Sequence, residues 1–126
     1  MNCCRELRMI TKDFATHYAQ EWISACNAYN LERILSHYAD DFEMSSPVIV
    51  QLMSEPSGTL RSKETIRTYW AKALELRPNL HVELVNTFAG ASSITLAYRG
   101  RNSLSVEPFW INADGKDYRA AAYYLL

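Results

Sequence analysis

The sequence predicts an α+β domain, with helices confined to its N-terminal half and a strongly curved, mostly antiparallel sheet filling the C-terminal half. Two observations carry this. In three stretches before Pro78, apolar residues recur every three or four positions, the spacing of helices with one buried face. Beyond Pro78 that period gives way to alternation, in four runs separated by "AGA", "GRN" and "NADG". Links this short exclude parallel crossovers between consecutive strands, which need a dozen residues or more.

Taken in order, Phe14, Ala15, Tyr18, Ala19, Trp22, Ile23 and Cys26 form the stripe of a first helix. Thr11 is its N-cap, Asp13 suits the first turn, and "NAYN" ends it. Residues 1–11 are expected to form a mobile tail carrying Cys3 and Cys4, with 12–126 as one domain. Asn30 caps a short second helix in which Leu31, Ile34, Leu35 and Tyr38 share a face. "DFEMSSP" then changes to a period of two, with Phe42, Met44 and Ser46 on one side and Glu43 and Ser45 on the other. "VIVQLMSEPSGT" reads as further strand or as a crossing loop, closed by the turn signal Pro56 to Gly58; over residues 48–57 it is expected to border a pocket mouth. Ser62 caps a third helix with the stripe Ile66, Tyr69, Trp70, Ala73 and Leu74, stopped by Pro78.

The strand-like runs cover about Leu80–Phe88, Ser93–Arg99, Ser103–Ile111 and Lys116–Tyr124. Alternation through "SVEPFWI" places Glu107, Phe109 and Ile111 on one face and Val106, Pro108 and Trp110 on the other. A carboxylate thus shares a face with residues that want to be buried. Helices can cover one face of such a sheet. Trp110, Ala121 and Tyr123 fall on the other, which reads as a homodimer interface.

Thirteen Lys and Arg against fourteen Asp and Glu leave a formal charge of -1, with the basic residues scattered. Nucleic acid and anionic membrane are therefore not expected as partners. Three cysteines without metal-type spacing, and no apolar run long enough for a signal peptide or spanning helix, point to a reduced, cytoplasmic setting. Eight Tyr, four Phe and three Trp are the unusual bulk feature, fitting a rigid cavity wall as well as a core.

"FATHYAQEWISACNAYNLERILSHYADDFEMSSP", "SGTLRSKETIRTYWAKAL" and "EPFWINADGKDYRAAAYY" resemble the nuclear transport factor 2 superfamily, in particular its ketosteroid isomerase and SnoaL-like branch. The resemblance runs from about Lys12 onward. It implies a cystatin-like cone in which a bent sheet wraps three helices, the open end admits a small apolar molecule, and two copies pair through the outer sheet face. No cofactor is implied. The isomerase base, an aspartate before the proline of the first strand, falls on Ser46, and the oxyanion-hole tyrosine of the first helix falls on Trp22. The protonated acid falls on Glu107, with the pocket phenylalanine at Phe109. Wall positions by the same likeness are Tyr38, Met44, Tyr69, Trp70, Leu96 and Tyr124. One of three polar functions survives. The implied function is an isomerase, cyclase or dehydratase acting on a carbonyl metabolite without the usual base; the alternative is a non-catalytic ligand-binding or dimeric assembly domain.

Glu107 is thus the candidate acid or base. Burial favours the neutral acid, which can donate to a ligand carbonyl; pairing with the Trp22 N–H or a tyrosine hydroxyl would instead order the wall. Tyr98, near the "GRN" turn, is expected at the rim. His17, His37 and His81 are expected to point away from the core, and Asp40 and Asp41 to solvate a turn; no metal site or triad emerges.

Overall fold

Residues 10–100 and 103–126 are described by a computed structural model, so Cys3, Cys4 and most of the expected tail lie outside the described residues. Thr11 caps the first helix, α1 (Lys12–Asn27), its side chain accepting from the Phe14 amide at 3.1 Å. Ala15, Tyr18, Ala19, Trp22, Ala25 and Cys26 are buried along it, whereas Phe14 stays largely in solvent. Tyr29 takes the left-handed conformation (φ 55°) that turns the chain back. Asn30 then caps α2 (Leu31–Leu35) by accepting from the Arg33 amide. Tyr38 lies one turn beyond that helix, contrary to the periodicity. It begins β1 (Tyr38–Ser45), where it stays buried by stacking on Phe42 with ring centroids 3.9 Å apart.

The stretch after β1 departs most from expectation. It is a helix, α3 (Pro47–Met53), making four helices among the described residues instead of three. Its β-branched run reads as a strand, but Ser46 accepts from the Val48 amide at 3.1 Å and Pro47 occupies the first helical position. A cap and a pre-set φ together outweigh weak intrinsic propensity in so short an element. Ser54 (φ 53°) and Gly58 (φ 69°) turn the chain into β2 (Thr59–Arg61). Ser62 caps α4 (Lys63–Leu76), which buries Ile66, Tyr69, Ala73 and Leu74 and leaves Trp70 half-buried.

Five further strands follow: β3 (Glu83–Ala89), β4 (Ser93–Arg99), β5 (Leu104–Ile111), β6 (Asp117–Ala121) and β7 (Tyr123–Tyr124). The sheet runs β2-β1-β6-β5-β4-β3, with β7 also paired to β5. Every pairing is antiparallel except β1 with β6, which the long connection between them permits. The Lys116–Tyr124 run is thus two strands, broken where the Ala122 amide turns to the Ser45 carbonyl at 2.9 Å. Register shifts in the β1–β6, β3–β4 and β5–β6 pairs bend the sheet. Its concave face receives α1: Trp22 meets Phe109 at 5.4 Å and Tyr98 at 5.3 Å, and Tyr18 meets Phe109 at 5.3 Å.

On β5 the alternation holds. Glu107, Phe109 and Ile111 are buried, while Val106 is exposed and Trp110 half-buried beneath the Arg119 guanidinium, 4.7 Å from its ring centre. On the last strands it fails: Ala120, Ala121 and Ala122 are all buried. Of Trp110, Ala121 and Tyr123, only Tyr123 stands well exposed, at 59%.

Candidate ligand pocket

A cavity of about 820 Å³ opens between α1, α4, the 77–82 segment and the ends of β4 and β5. Trp22, Met44, Tyr69, Trp70, Glu107 and Tyr124 line it. Tyr38, Ser46, Leu96 and Phe109 do not; they form the layer behind. Tyr38 is held by its stack on Phe42 and Ser46 by its cap on α3, while Phe109 is covered by Trp22 and Tyr18. Leu96 pairs directly opposite Glu107 and is fully buried.

Glu107 is 2% exposed. Its Oε1 accepts a hydrogen bond from the Tyr98 hydroxyl at 2.9 Å, and its Oε2 has no partner among the described residues. Burial pushes the carboxyl up to about 8, the Tyr98 bond opposing it. Glu107 is therefore mainly a neutral acid at pH 7, and as an acid it carries a proton that has no acceptor among the described residues. Tyr98 is not a rim residue, as expected from its place near the turn; it is buried against Trp22 and supports Glu107. Burial and the Glu107 charge both raise its phenol, so it remains a donor.

Elsewhere on the wall stand Tyr69 and Tyr124. Burial keeps both phenols protonated. The indole N–H groups of Trp22 and Trp70 have no acceptor among the described residues. Val48 lines the cavity too, alone of the 48–57 stretch expected at its mouth; Cys26 and Ser105 also line it, and Arg77, Asn79 and His81 border it, none of these five being singled out for the pocket by the sequence.

A second buried carboxyl escaped the sequence reading. Asp117 is fully buried at the start of β6, where its Oδ2 accepts from the Tyr18 hydroxyl while Oδ1 has no partner among the described residues. Burial raises its pKa, against the Tyr18 bond. It does not line the cavity. The register shift between Trp110 and Ile111 is what conceals it, because the inward residues of β6 no longer alternate. His37 is half-buried rather than turned away: its ring meets Tyr18 at 5.5 Å, its Nε2 is 3.9 Å from Glu21, and burial lowers its pKa. His17 and His81 are exposed, and Asp40 and Asp41 lie exposed in the bulged part of β1. Among the described residues, no three His, Cys, Asp or Glu side chains gather as metal ligands, and no helix is long and apolar enough to cross a membrane.

Comparison with known proteins agrees with this architecture. A SnoaL-like protein of unknown function from Burkholderia thailandensis is 48% identical, superposes with a TM-score of 0.90, and is matched over 94% of this chain and 99% of that one. A cystatin-like protein of unknown function from Methylobium petroleophilum superposes at 0.74 with 12% identity, over 94% of this chain and 80% of its own. A member of the SnoaL-like family from Agrobacterium tumefaciens, whose isomerase designation is provisional, superposes at 0.73 with 12% identity, over 90% and 99% of the two chains. At that identity the last two show the fold. Residues 19–125 match the family model for the SnoaL-like domain, and the chain belongs to that family.

Proposed function

We propose that the pocket binds a small, largely apolar molecule through a carbonyl group, with Glu107 as the neutral acid that donates to the carbonyl oxygen. The observation that carries this is the unpartnered Oε2 of a buried carboxyl on an aromatic-lined wall. Tyr98 holds the other oxygen; in this reading the free one, buried within the wall, is the one that donates to the ligand. Donation to a carbonyl polarises it and stabilises negative charge developing on its oxygen, the step shared by isomerase, cyclase and dehydratase chemistry. In this reading Trp22 and Tyr69 position the substrate and no cofactor takes part.

A specific observation favours the non-catalytic alternative. Ser46, at the position where the isomerase branch carries its base, is occupied as the N-cap of α3, and a hydroxyl does not accept a proton from carbon at neutral pH without a partner. Catalysis by this pocket is then limited to substrates acidic enough to enolise once polarised. Thermal-shift screening against steroid enones and polyketide-like aromatic ketones, followed by turnover of each binder, tests the reading. Carbonyl binders whose shift falls in Glu107→Gln support it. Binders that shift wild type and Glu107→Gln alike remove Glu107 from recognition. Binding without turnover selects the non-catalytic form. Pairing of two copies through the outer sheet face, around Val106 and Tyr123, belongs to the same proposal, and native mass spectrometry of wild type and Tyr123→Glu reads it directly.

A further inference from the structure

The polar groups of the cavity are segregated. Glu107 is the sole acid among its described lining residues and is buried deep in the wall, whereas Arg77, Asn79 and His81 stand exposed where it opens. Those three lie on a segment without regular structure, yet the segment is fastened. The Tyr29 hydroxyl donates to the Arg77 carbonyl and accepts from the Leu80 amide. The Asn27 side chain donates to the Val82 carbonyl at 3.0 Å and accepts from the Val82 amide at 2.8 Å. Arg33, Arg61 and Arg67 each pair with a glutamate, but Arg77 makes no ion pair among the described residues.

We infer that the ligand is an amphipathic keto acid: a carboxylate lies at the mouth against Arg77, beside Asn79 and His81, while the apolar body fills the aromatic cavity and the ketone reaches Glu107. This rests on the carbonyl reading above and adds the second anchor and the polarity of entry. A guanidinium in a fixed segment recognises a carboxylate by paired N–H donors, and a neutral Glu107 offers no competing negative charge within the pocket. An acid is therefore selected over its ester or amide at the rim, independently of what holds the ketone.

Isothermal titration calorimetry with 4-(2-naphthyl)-4-oxobutanoate, its methyl ester, the ketone-free 4-(2-naphthyl)butanoate and a larger phenanthryl acid and ester separates the two anchors. The keto acid should bind wild type about fivefold more tightly than the ester, the size of a good partly exposed ion pair. That advantage should shrink at high salt and vanish in Arg77→Gln, while ester affinity stays unchanged. Equal binding of acid and ester to wild type, or an acid advantage that survives Arg77→Gln, overturns the inference. If the ketone-free acid binds as tightly as the keto acid yet still depends on Arg77, the rim anchor stands and the carbonyl reading falls. Failure of both the naphthyl and phenanthryl pairs to bind overturns the two together.

Discussion

Replacing Glu107 with Gln should change how stability depends on pH. Glu107 moves from 4.5 in the unfolded chain to about 8 in the folded one, driven by burial. Below about 4.5 both states carry the proton and the contribution of the buried neutral acid is fully present. As pH rises from there to about 8, the unfolded chain releases a proton that the folded chain retains, so the unfolded state gains free energy of stabilisation with each unit. Above about 8 both are ionised and the loss is complete. At about 1.4 kcal/mol per unit, the wild type should lose about 5 kcal/mol across this window through Glu107 alone. That is a large part of the roughly 5–15 kcal/mol typical of a domain. Gln is neutral throughout and its Oε1 can still accept from Tyr98. Urea unfolding of both proteins from acid to mildly alkaline pH should therefore give curves that diverge, the variant becoming the more stable by several kcal/mol at the alkaline end. Asp117, also raised by burial, tilts both curves the same way, and only the part of its shift that comes from the Glu107 charge enters the difference. Parallel curves would refute the reasoning, since they would mean that Glu107 ionises alike in both states.

Substitutions at three other positions probe the frame around the site. Asp117→Ala leaves the buried Tyr18 hydroxyl without its acceptor and should cost about 1–3 kcal/mol in urea unfolding, whereas Asp117→Asn, which keeps an acceptor, should recover most of that. Ser46→Ala removes the N-cap of α3 and should cost about 1 kcal/mol, with faster hydrogen exchange at the Val48 amide; unchanged exchange there would contradict the capping role. Tyr29→Phe removes both hydroxyl bonds to the pocket rim, so the Leu80 amide should lose exchange protection while the core amides of β4 keep theirs.

Much of the frame was legible because local rules and tertiary packing agree. Thr11, Asn30 and Ser62 cap the helices that their positions announce, and the inward face of β5 follows strict alternation. Glu107 could be placed for the same reason. Legibility fails where one residue is inserted or one cap overrides a propensity. The bulge beside Ile111 hides Asp117 by breaking the period of β6, and a β-branched run masks α3, although "SSP" held the signal in an N-cap serine followed by proline. Depth was the other obscured quantity. Periodicity assigns Phe109 and Leu96 to the pocket face but cannot show that the larger Trp22 lies over Phe109. Nor could it show that Tyr98, nine residues before Glu107 in the chain, crosses back to hold it, because that bond depends on the β4–β5 register. The rim was invisible for a related reason: residues 77–82 have no period, and their order comes from Tyr29 and Asn27 on another element.

The central claim is that Glu107 is a buried neutral acid at physiological pH. Carbon-13 NMR of protein labelled at the glutamate side-chain carboxyl, with Glu107→Gln used to assign the resonance, measures its protonation directly. A carboxyl signal at the protonated position at pH 7 that moves with a midpoint near 8 is the predicted result. A signal already at the ionised position at pH 7, titrating with the surface glutamates, would contradict the account and leave Glu107 a charged wall residue with no proton to donate.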